Sequence, residues 1–145
     1  MNTGQINIVK KNPTPEDLLF LDDRIYEFNA HAIKNNNGNS FARFIYDEKN
    51  RIAAGLTGWT WAGACEITML WVHEEHRGKG YGRLLLESAE EEARSQQCGT
   101  IFISSYTFQA PAFYQKHGYV LEWELHDFPP GHNRCSLVKR FKHEK

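Results

Sequence analysis

Three glycines at alternate positions give this chain its clearest chemical signal. The segment Arg77-Gly78-Lys79-Gly80-Tyr81-Gly82-Arg83 follows an apolar run and precedes a helical pattern. Glycine lacks a Cβ, so the backbone can take positive φ and come close to a ligand. The N–H groups in the first turn of the following helix stay free to donate, and the helix dipole favours an anion there. The segment therefore predicts a phosphate-binding loop.

The spacing separates three kinds of phosphate loop. A nucleotide P-loop needs Lys and then Ser or Thr directly after its last glycine, but Arg83 and Leu84 follow Gly82. A dinucleotide fingerprint that starts at Gly78 needs a small residue where Arg83 stands. The spacing that fits is Arg77-x-x-Gly80-x-Gly82. A nucleotide-binding protein that uses the same loop stays open as an alternative.

This spacing resembles the R/Q-x-x-G-x-G/A loop of the GNAT family of N-acetyltransferases. Upstream, Glu66-Ile67-Thr68-Met69-Leu70-Trp71-Val72 is similar to the fourth strand of that family. Downstream, Ala112-Phe113-Tyr114-Gln115-Lys116-His117-Gly118-Tyr119 is similar to its second signature. The resemblance implies an α/β fold whose mixed central sheet of about six to seven strands is flanked by helices and splays between the fourth and fifth strands.

The resemblance also implies that acetyl-CoA binds in that splay as a co-substrate. Its acetyl group would pass directly to a primary amine of a small molecule or peptide, without a covalent enzyme intermediate. A non-catalytic acyl-CoA-binding sensor or structural module of the same fold is the alternative. The residues that would bind acetyl-CoA are Leu70, Trp71, Val72, Arg77, Gly78, Lys79, Gly80, Tyr81, Gly82, Arg83 and Gln109.

Acetyl transfer to an amine needs a base and an acid. An amine with a pKa near 10 is almost wholly ammonium at neutral pH, so freeing its lone pair costs roughly 4 kcal/mol. The resemblance implies Glu66 as the base, and the strand period of two places Glu66, Thr68 and Leu70 on one face of the sheet. It implies Tyr114 as the acid that protonates the leaving thiolate. Both residues also have a purely structural interpretation: Glu66 as a partly exposed acid that pairs with a neighbour, and Tyr114 as a tyrosine of the core.

Four aromatic or imidazole side chains are candidates for contact with the acceptor. Trp59 and Trp61 share one side of a predicted strand, and packing alone would also explain them. Phe128 and His132 lie in a loop near the end of the sheet where the family binds its acceptor. The histidines do not have zinc-ligand spacing, so no metal is expected.

The elements that would position these residues follow from periodicity. Thr14, Pro15 and Asp17 open a helix that should run to about position 34. In the helix from Tyr81 to about Gln97, the pattern places Leu84, Leu85, Ala89 and Ala93 toward the sheet and leaves Glu87 and Glu90 to Glu92 exposed. The short helix lies at residues 111–116, and the predicted strands lie at residues 5–10, 41–46, 51–59, 64–72, 100–105, 119–126 and 134–141.

Composition limits the class of partner. The 17 basic and 18 acidic residues nearly balance, which gives no electrostatic case for nucleic acid or a membrane surface. No apolar stretch is long enough to span a bilayer, so we expect a cytoplasmic protein with a single acyltransferase domain over residues 1–145. Cys65, Cys98 and Cys135 lack CxxC spacing and are interpreted as packing residues. A homodimer stays open.

Overall fold

The computed structural model describes residues 4–142. These residues divide into two units, one that ends at Asn36 and one that begins at Asn37. Each unit has its own secondary structure, and the second contains all the residues predicted to do chemistry. That the whole chain serves as one acyltransferase domain stays a prediction.

The first unit contains helix α1 (Pro15–Ile33). Its start is a capping box in which Thr14 Oγ1 accepts from the N–H of Asp17 at 3.1 Å, and the Asp17 carboxylate accepts from the N–H of Thr14 at 2.9 Å. The predicted helix is therefore confirmed. The strand predicted at residues 5–10 is wrong, because that described segment carries no strand pairing. Alternation of apolar and polar residues suits a strand, but only a ladder with a neighbour makes one.

Within the described residues of the second unit, six strands form one mixed sheet in the order β1-β2-β3-β4-β6-β5. Neighbouring strands are antiparallel except β3 and β4, which are parallel. The strands predicted as fourth and fifth are therefore β3 and β4. Their bounds are β1 Asn39–Tyr46, β2 Ile52–Trp61, β3 Ala64–Val72, β4 Thr100–Tyr106, β5 Val120–His126 and β6 Asn133–Arg140.

Two helices pack on one face of this sheet. Helix α2 (Tyr81–Ser95) makes the crossover that a parallel pair requires between β3 and β4, and it contacts β1 to β4. Helix α3 (Pro111–Lys116) contacts β5 and β6. The core lies between these helices and the strands, and its fully buried side chains include Leu56, Ile67, Leu86, Ile101 and Leu137. The predicted α/β fold is confirmed.

Two side chains of α2 lie where the pattern did not place them. Leu84 was predicted to face the sheet but is 50% exposed, whereas Leu85 and Leu86 are buried. Glu90 was predicted to be exposed but is only 6% exposed. The buried face of α2 therefore includes a carboxylate, and that carboxylate needs a partner.

Candidate active site

The glycine loop connects β3 to α2 as an open cradle of backbone. A single 3-10 turn (Glu74–His76) follows β3, and the chain then passes through Gly78 with φ of 77° and Gly80 with φ of 84°. Both angles are left-handed and favour glycine. Gly80 is the N-cap residue of α2, and within the described part of the chain no side chain caps the helix there. The N–H groups of the first turn therefore point out of the helix without a side-chain acceptor, as an anion site requires.

The charged residues of the loop differ in how they are held. The Arg77 Nε donates to the carbonyl of Val72 at 3.2 Å, so its side chain lies against the end of β3. Arg83 is 3.6 Å from the Glu87 carboxylate one turn along α2. Lys79 is exposed at the tip of the loop. The loop thus offers positive charge around an uncapped helix start, which is an arrangement that attracts phosphate.

Gly82 joins the loop to the second signature. A Cβ at this position would lie 3.3 Å from Cζ of Phe113 and 3.9 Å from Cγ2 of Val72. The first turn of α2 can therefore approach both α3 and the end of β3 closely because this residue has no side chain. The three glycines have separate purposes: two set the turn, and the third permits close packing.

The sheet opens between β3 and β4. Among the described residues these strands pair over four positions, from Ala64 with Thr100 to Ile67 with Ile103. Beyond them β3 continues to Val72, where it pairs with β2 on its other side, and β4 continues to Tyr106 beside β6. The backbone of Leu70, Trp71 and Val72 therefore faces the opening without a β4 partner. This is the predicted splay.

A β-bulge changes which residues share a face of β3. Gly58 pairs with Ile67, but the preceding Thr57 pairs with Met69, so Thr68 is the extra residue. Leu70 then pairs with Leu56 and packs against the core under α2. The prediction that Leu70 shares a face with Glu66 is therefore wrong, because the extra residue of a bulge reverses the alternation beyond it.

Glu66 lies at the mouth of the opening, on the face of the sheet opposite α2. It is one residue before the last β3–β4 pair, and its neighbours in register are Trp59 on β2 and Phe102 on β4. Burial raises the pKa of its carboxyl above the usual range, and the charge of Arg134 acts in the opposite direction. A raised pKa in a partly desolvated carboxylate makes the group a stronger proton acceptor than an exposed one.

Tyr114 lies in α3 on the other face and is 5% exposed. Its ring packs edge-on against Phe113 and Tyr119, with centroids 5.2 and 5.8 Å away. Burial raises the pKa of its phenol to about 12, so the hydroxyl keeps its proton throughout the neutral range. Among residues 4–142 no group forms a hydrogen bond with that hydroxyl. It is a donor with no structural partner.

The predicted acceptor residues fall into two places. Trp59 is beside Glu66 and meets Phe102 edge-on at 6.1 Å, whereas Trp61 is at the far end of β2, opposite Ala64. Phe128 and His132, in the β5–β6 loop, join an aromatic cluster: Phe128 lies 5.6 Å from Tyr106, and His132 lies 5.0 Å from Phe108. Trp59 and this cluster are near the opening, and Trp61 is not.

Gln109 uses the oxygen of its side-chain amide within the turn after β4. Its side-chain oxygen accepts from the N–H of Tyr106 at 2.8 Å, and its own N–H donates to the Tyr106 carbonyl at 2.8 Å. These bonds hold the turn after β4. A contact between its remaining amide N–H groups and acetyl-CoA stays a prediction.

After β3, the rings of His73 and His76 form a row of contacts with the rings of Trp71 and Tyr81, a feature that sequence reasoning missed. His73 meets Trp71 and His76 edge-on, and His76 stacks on Tyr81 at 5.7 Å. Both histidines are partly buried rather than solvent-facing, and Nδ1 of His76 is buried without a hydrogen-bond partner in the described chain. These ring contacts pack the 3-10 turn against Tyr81, the first residue of α2.

The buried carboxylate of Glu90 is also part of a network that sequence reasoning missed. Lys139 Nζ donates to its Oε1 at 2.6 Å and to the His117 carbonyl at 3.1 Å. The Tyr119 hydroxyl donates to Glu90 Oε2 at 3.3 Å. The network ties α2 to β6 and to the residues after α3, so it supports the helix that carries Tyr114. The signal was Lys139 itself, because the strand period of two places it on the same face as the buried Cys135 and Leu137.

The cysteines are buried and free. Burial raises the pKa of the Cys65 thiol to about 12, so it is not a thiolate at neutral pH. Cys65 neighbours Glu66 but lies in the core on the α2 side. In the described part of the chain no group of His, Cys, Asp or Glu has the arrangement of a metal site. None of its helices combines the length and the apolar character needed to cross a bilayer.

Comparison with known proteins gives three findings that bear on this site. The chain matches the model of the acetyltransferase (GNAT) family over residues 8–119. Blasticidin-S acetyltransferase from Streptomyces morookaense is 37% identical over 103 residues, which are 68% of this chain and 74% of the relative. The crystal structure of an acetyltransferase from Bacillus cereus is 29% identical with a TM-score of 0.77, over 97% of this chain and 100% of that one.

A more distant structure was solved with a ligand. PaiA N-acetyltransferase from Thermoplasma acidophilum, in complex with coenzyme A, is 15% identical with a TM-score of 0.61, over 87% of this chain and 70% of that one. At this identity the likeness is one of fold.

Proposed function

Since the chain belongs to the GNAT family of acetyltransferases, we propose that it transfers acetyl from acetyl-CoA to a primary amine of a small molecule or peptide. The observation that carries the proposal is the position of Glu66. Its partly buried carboxylate lies at the mouth of the β3–β4 opening, and the uncapped start of α2 follows β3. A proton acceptor and an anion cradle therefore flank the β3–β4 opening, the cleft in which acetyl-CoA would bind.

The donor side of this cleft is made mostly of backbone. The N–H groups at the start of α2 hold the pyrophosphate, with Arg77 and Lys79 alongside. The unpaired edge of Leu70, Trp71 and Val72 binds the pantetheine arm by hydrogen bonds of the kind that a missing strand would make. Backbone N–H groups of this strand edge also stabilise the oxyanion of the tetrahedral intermediate, so this step needs no metal.

Glu66 and Tyr114 divide the proton transfers. Glu66 accepts a proton from the ammonium group, directly or through water, and frees the lone pair that attacks the acetyl carbonyl. The C–N bond forms, the C–S bond breaks, and the Tyr114 hydroxyl protonates the departing thiolate. The nitrogen loses its second proton as the amide forms, and that proton restores the Tyr114 hydroxyl through water. The proposal includes no acyl-cysteine, because Cys65 lies on the other face with its thiol protonated. That the blasticidin-S relative modifies a small molecule supports a small-molecule acceptor here.

Product analysis with defined amines tests the proposal. Purified protein is incubated with acetyl-CoA and, separately, blasticidin S, a polyamine and a lysine-containing peptide, while released thiol and acetylated product are measured. We expect acetylation of at least one small-molecule amine and a large loss of turnover in Glu66→Gln. Tight binding of acetyl-CoA without acetylation of any amine would contradict catalysis and favour an acyl-CoA sensor.

A further inference from the structure

Arg134 has a positive charge without an acidic partner near the mouth of the opening. It is exposed on β6, in register with Tyr106 of β4, and its guanidinium lies 6.0 Å from the centre of the Tyr106 ring. Within the described chain it forms no ion pair. Arg140, on the same strand and the same face, is by contrast paired with Glu122. Arg134 is therefore placed over an aromatic ring and held by no carboxylate.

The charges of Arg134 and Glu66 lie on the same face. Phe102 is in register with Glu66, and Tyr106, four residues further along β4, is in register with Arg134. At about 3.3 Å per residue and about 4.8 Å per strand, the two Cα atoms are roughly 16 Å apart. Because β4 lies between β3 and β6, an arginine that leans over Tyr106 leans toward Glu66. Its charge lowers the pKa of Glu66 against the effect of burial, which agrees with this geometry.

Phe102 and Tyr106, both on β4, lie between the two charges, and Trp59 on β2 lies on the other side of Glu66. Trp59 and Phe102 meet edge-on beside Glu66. Tyr106 and Phe108 are stacked with centroids 5.2 Å apart and an interplanar angle of 4°, and Phe128 meets Tyr106 edge-on. Rings of this kind bind flat, apolar groups. The surface thus has a negative end, an aromatic middle and a positive end.

We propose that the acceptor is a flat amine that also carries a carboxylate, with its ammonium group at Glu66 and its carboxylate at Arg134. This inference rests on the proposed function, because it names the substrate class of the same cleft. The guanidinium fork matches the two coplanar oxygens of a carboxylate and binds both at once. Arg134 is then the residue that determines acceptor specificity.

Binding of rigid amino acids tests this inference without relying on turnover. Protein saturated with coenzyme A is titrated by calorimetry with para-aminomethylbenzoate and its longer biphenyl homologue, each compared with its own carboxamide. A charge-assisted bidentate contact predicts that the acid of matching length binds about 10- to 100-fold more tightly than its carboxamide. Arg134→Gln should reduce this preference to about twofold or less, and Arg134→Lys should retain part of it.

The matched control is Arg140→Gln, which removes a guanidinium from the same strand and face but should leave the preference unchanged. Two results would overturn the inference: no acid binds wild-type protein more tightly than its carboxamide, or the preference persists in Arg134→Gln. Failure of the proposed function is a separate result, since it would appear as bound amine that is never acetylated.

Discussion

Tyr114→Phe removes one hydroxyl that the folded chain does not use and that catalysis would need. The ring is buried, but within residues 4–142 the hydroxyl forms no hydrogen bond. Its removal leaves no donor or acceptor unpaired, so the free energy of unfolding should change by less than about 0.5 kcal/mol. A purely structural tyrosine with a bonded hydroxyl would behave differently.

The catalytic effect follows from the charge on the leaving group. A hydrogen bond to a charged group is worth about 1.5–3 kcal/mol, so losing a donor to the thiolate should lower kcat about 10- to 100-fold. Acetyl-CoA affinity should change little, because the thioester in the ground state is uncharged. Since burial raises the pKa of Tyr114 to about 12, its titration should not limit activity below about pH 10.

Tyr119→Phe is the matched control. Tyr119 is 2% exposed and lies in the same aromatic cluster, but its hydroxyl donates to the buried Glu90 carboxylate. This variant should lose about 1–3 kcal/mol of stability and keep kcat within about twofold. Stopped-flow thiol release, calorimetry with acetyl-CoA and urea unfolding measure the three quantities. Unchanged kcat in Tyr114→Phe, or a stability loss equal to that of Tyr119→Phe, would refute the assignment of Tyr114 as acid.

Two further predictions concern charged groups. Activity should fall as pH falls through the raised pKa of Glu66, and Glu66→Gln should lack that acidic limb in its residual kcat/KM profile; an identical limb in both proteins would exclude Glu66 as the base. Lys139→Met should cost about 2–3 kcal/mol because it leaves the buried Glu90 with weaker partners, and adding Glu90→Gln should restore part of this loss. Strictly additive losses on urea unfolding would argue against the coupling of these two residues.

The sequence was most informative where local rules act. The cap at Thr14, the period of α2 and the alternate glycines each depend on a few neighbouring residues, and each led to the correct element. Resemblance then supplied the opening between β3 and β4, which alternation alone does not predict. The placement of Glu66 and Tyr114 on opposite faces follows once the parallel crossover is known.

The failures have a common cause, which is that the missing information is not local. The bulge at Thr68 depends on how β2 pairs with β3, and it alone moves Leu70 to the other face. The burial of Glu90 depends on Lys139, which is 49 residues away in the chain. Residues 5–10 have the alternation of apolar and polar side chains that is typical of a strand, but they pair with no other strand. Only the tertiary structure reveals that.

The central claim is that the loop before α2 binds the pyrophosphate of acetyl-CoA. Titration calorimetry of wild-type protein, Gly80→Gln and Gly80→Glu tests it most directly. Both variants place a Cβ at φ of 84°, where Arg83 Nη2 is 3.8 Å away. Both therefore bear the same left-handed strain of about 1–2 kcal/mol and differ in charge alone.

A carboxylate about 5 Å from a phosphate charge costs about 1–3 kcal/mol at an effective dielectric constant between about 80 and 20. We therefore predict that the wild type binds acetyl-CoA with micromolar affinity and that Gly80→Gln binds it more weakly. Gly80→Glu should bind acetyl-CoA about 5- to 100-fold more weakly than Gly80→Gln does. A folded wild-type protein that does not bind acetyl-CoA, or equal affinities in the two variants, would contradict the account.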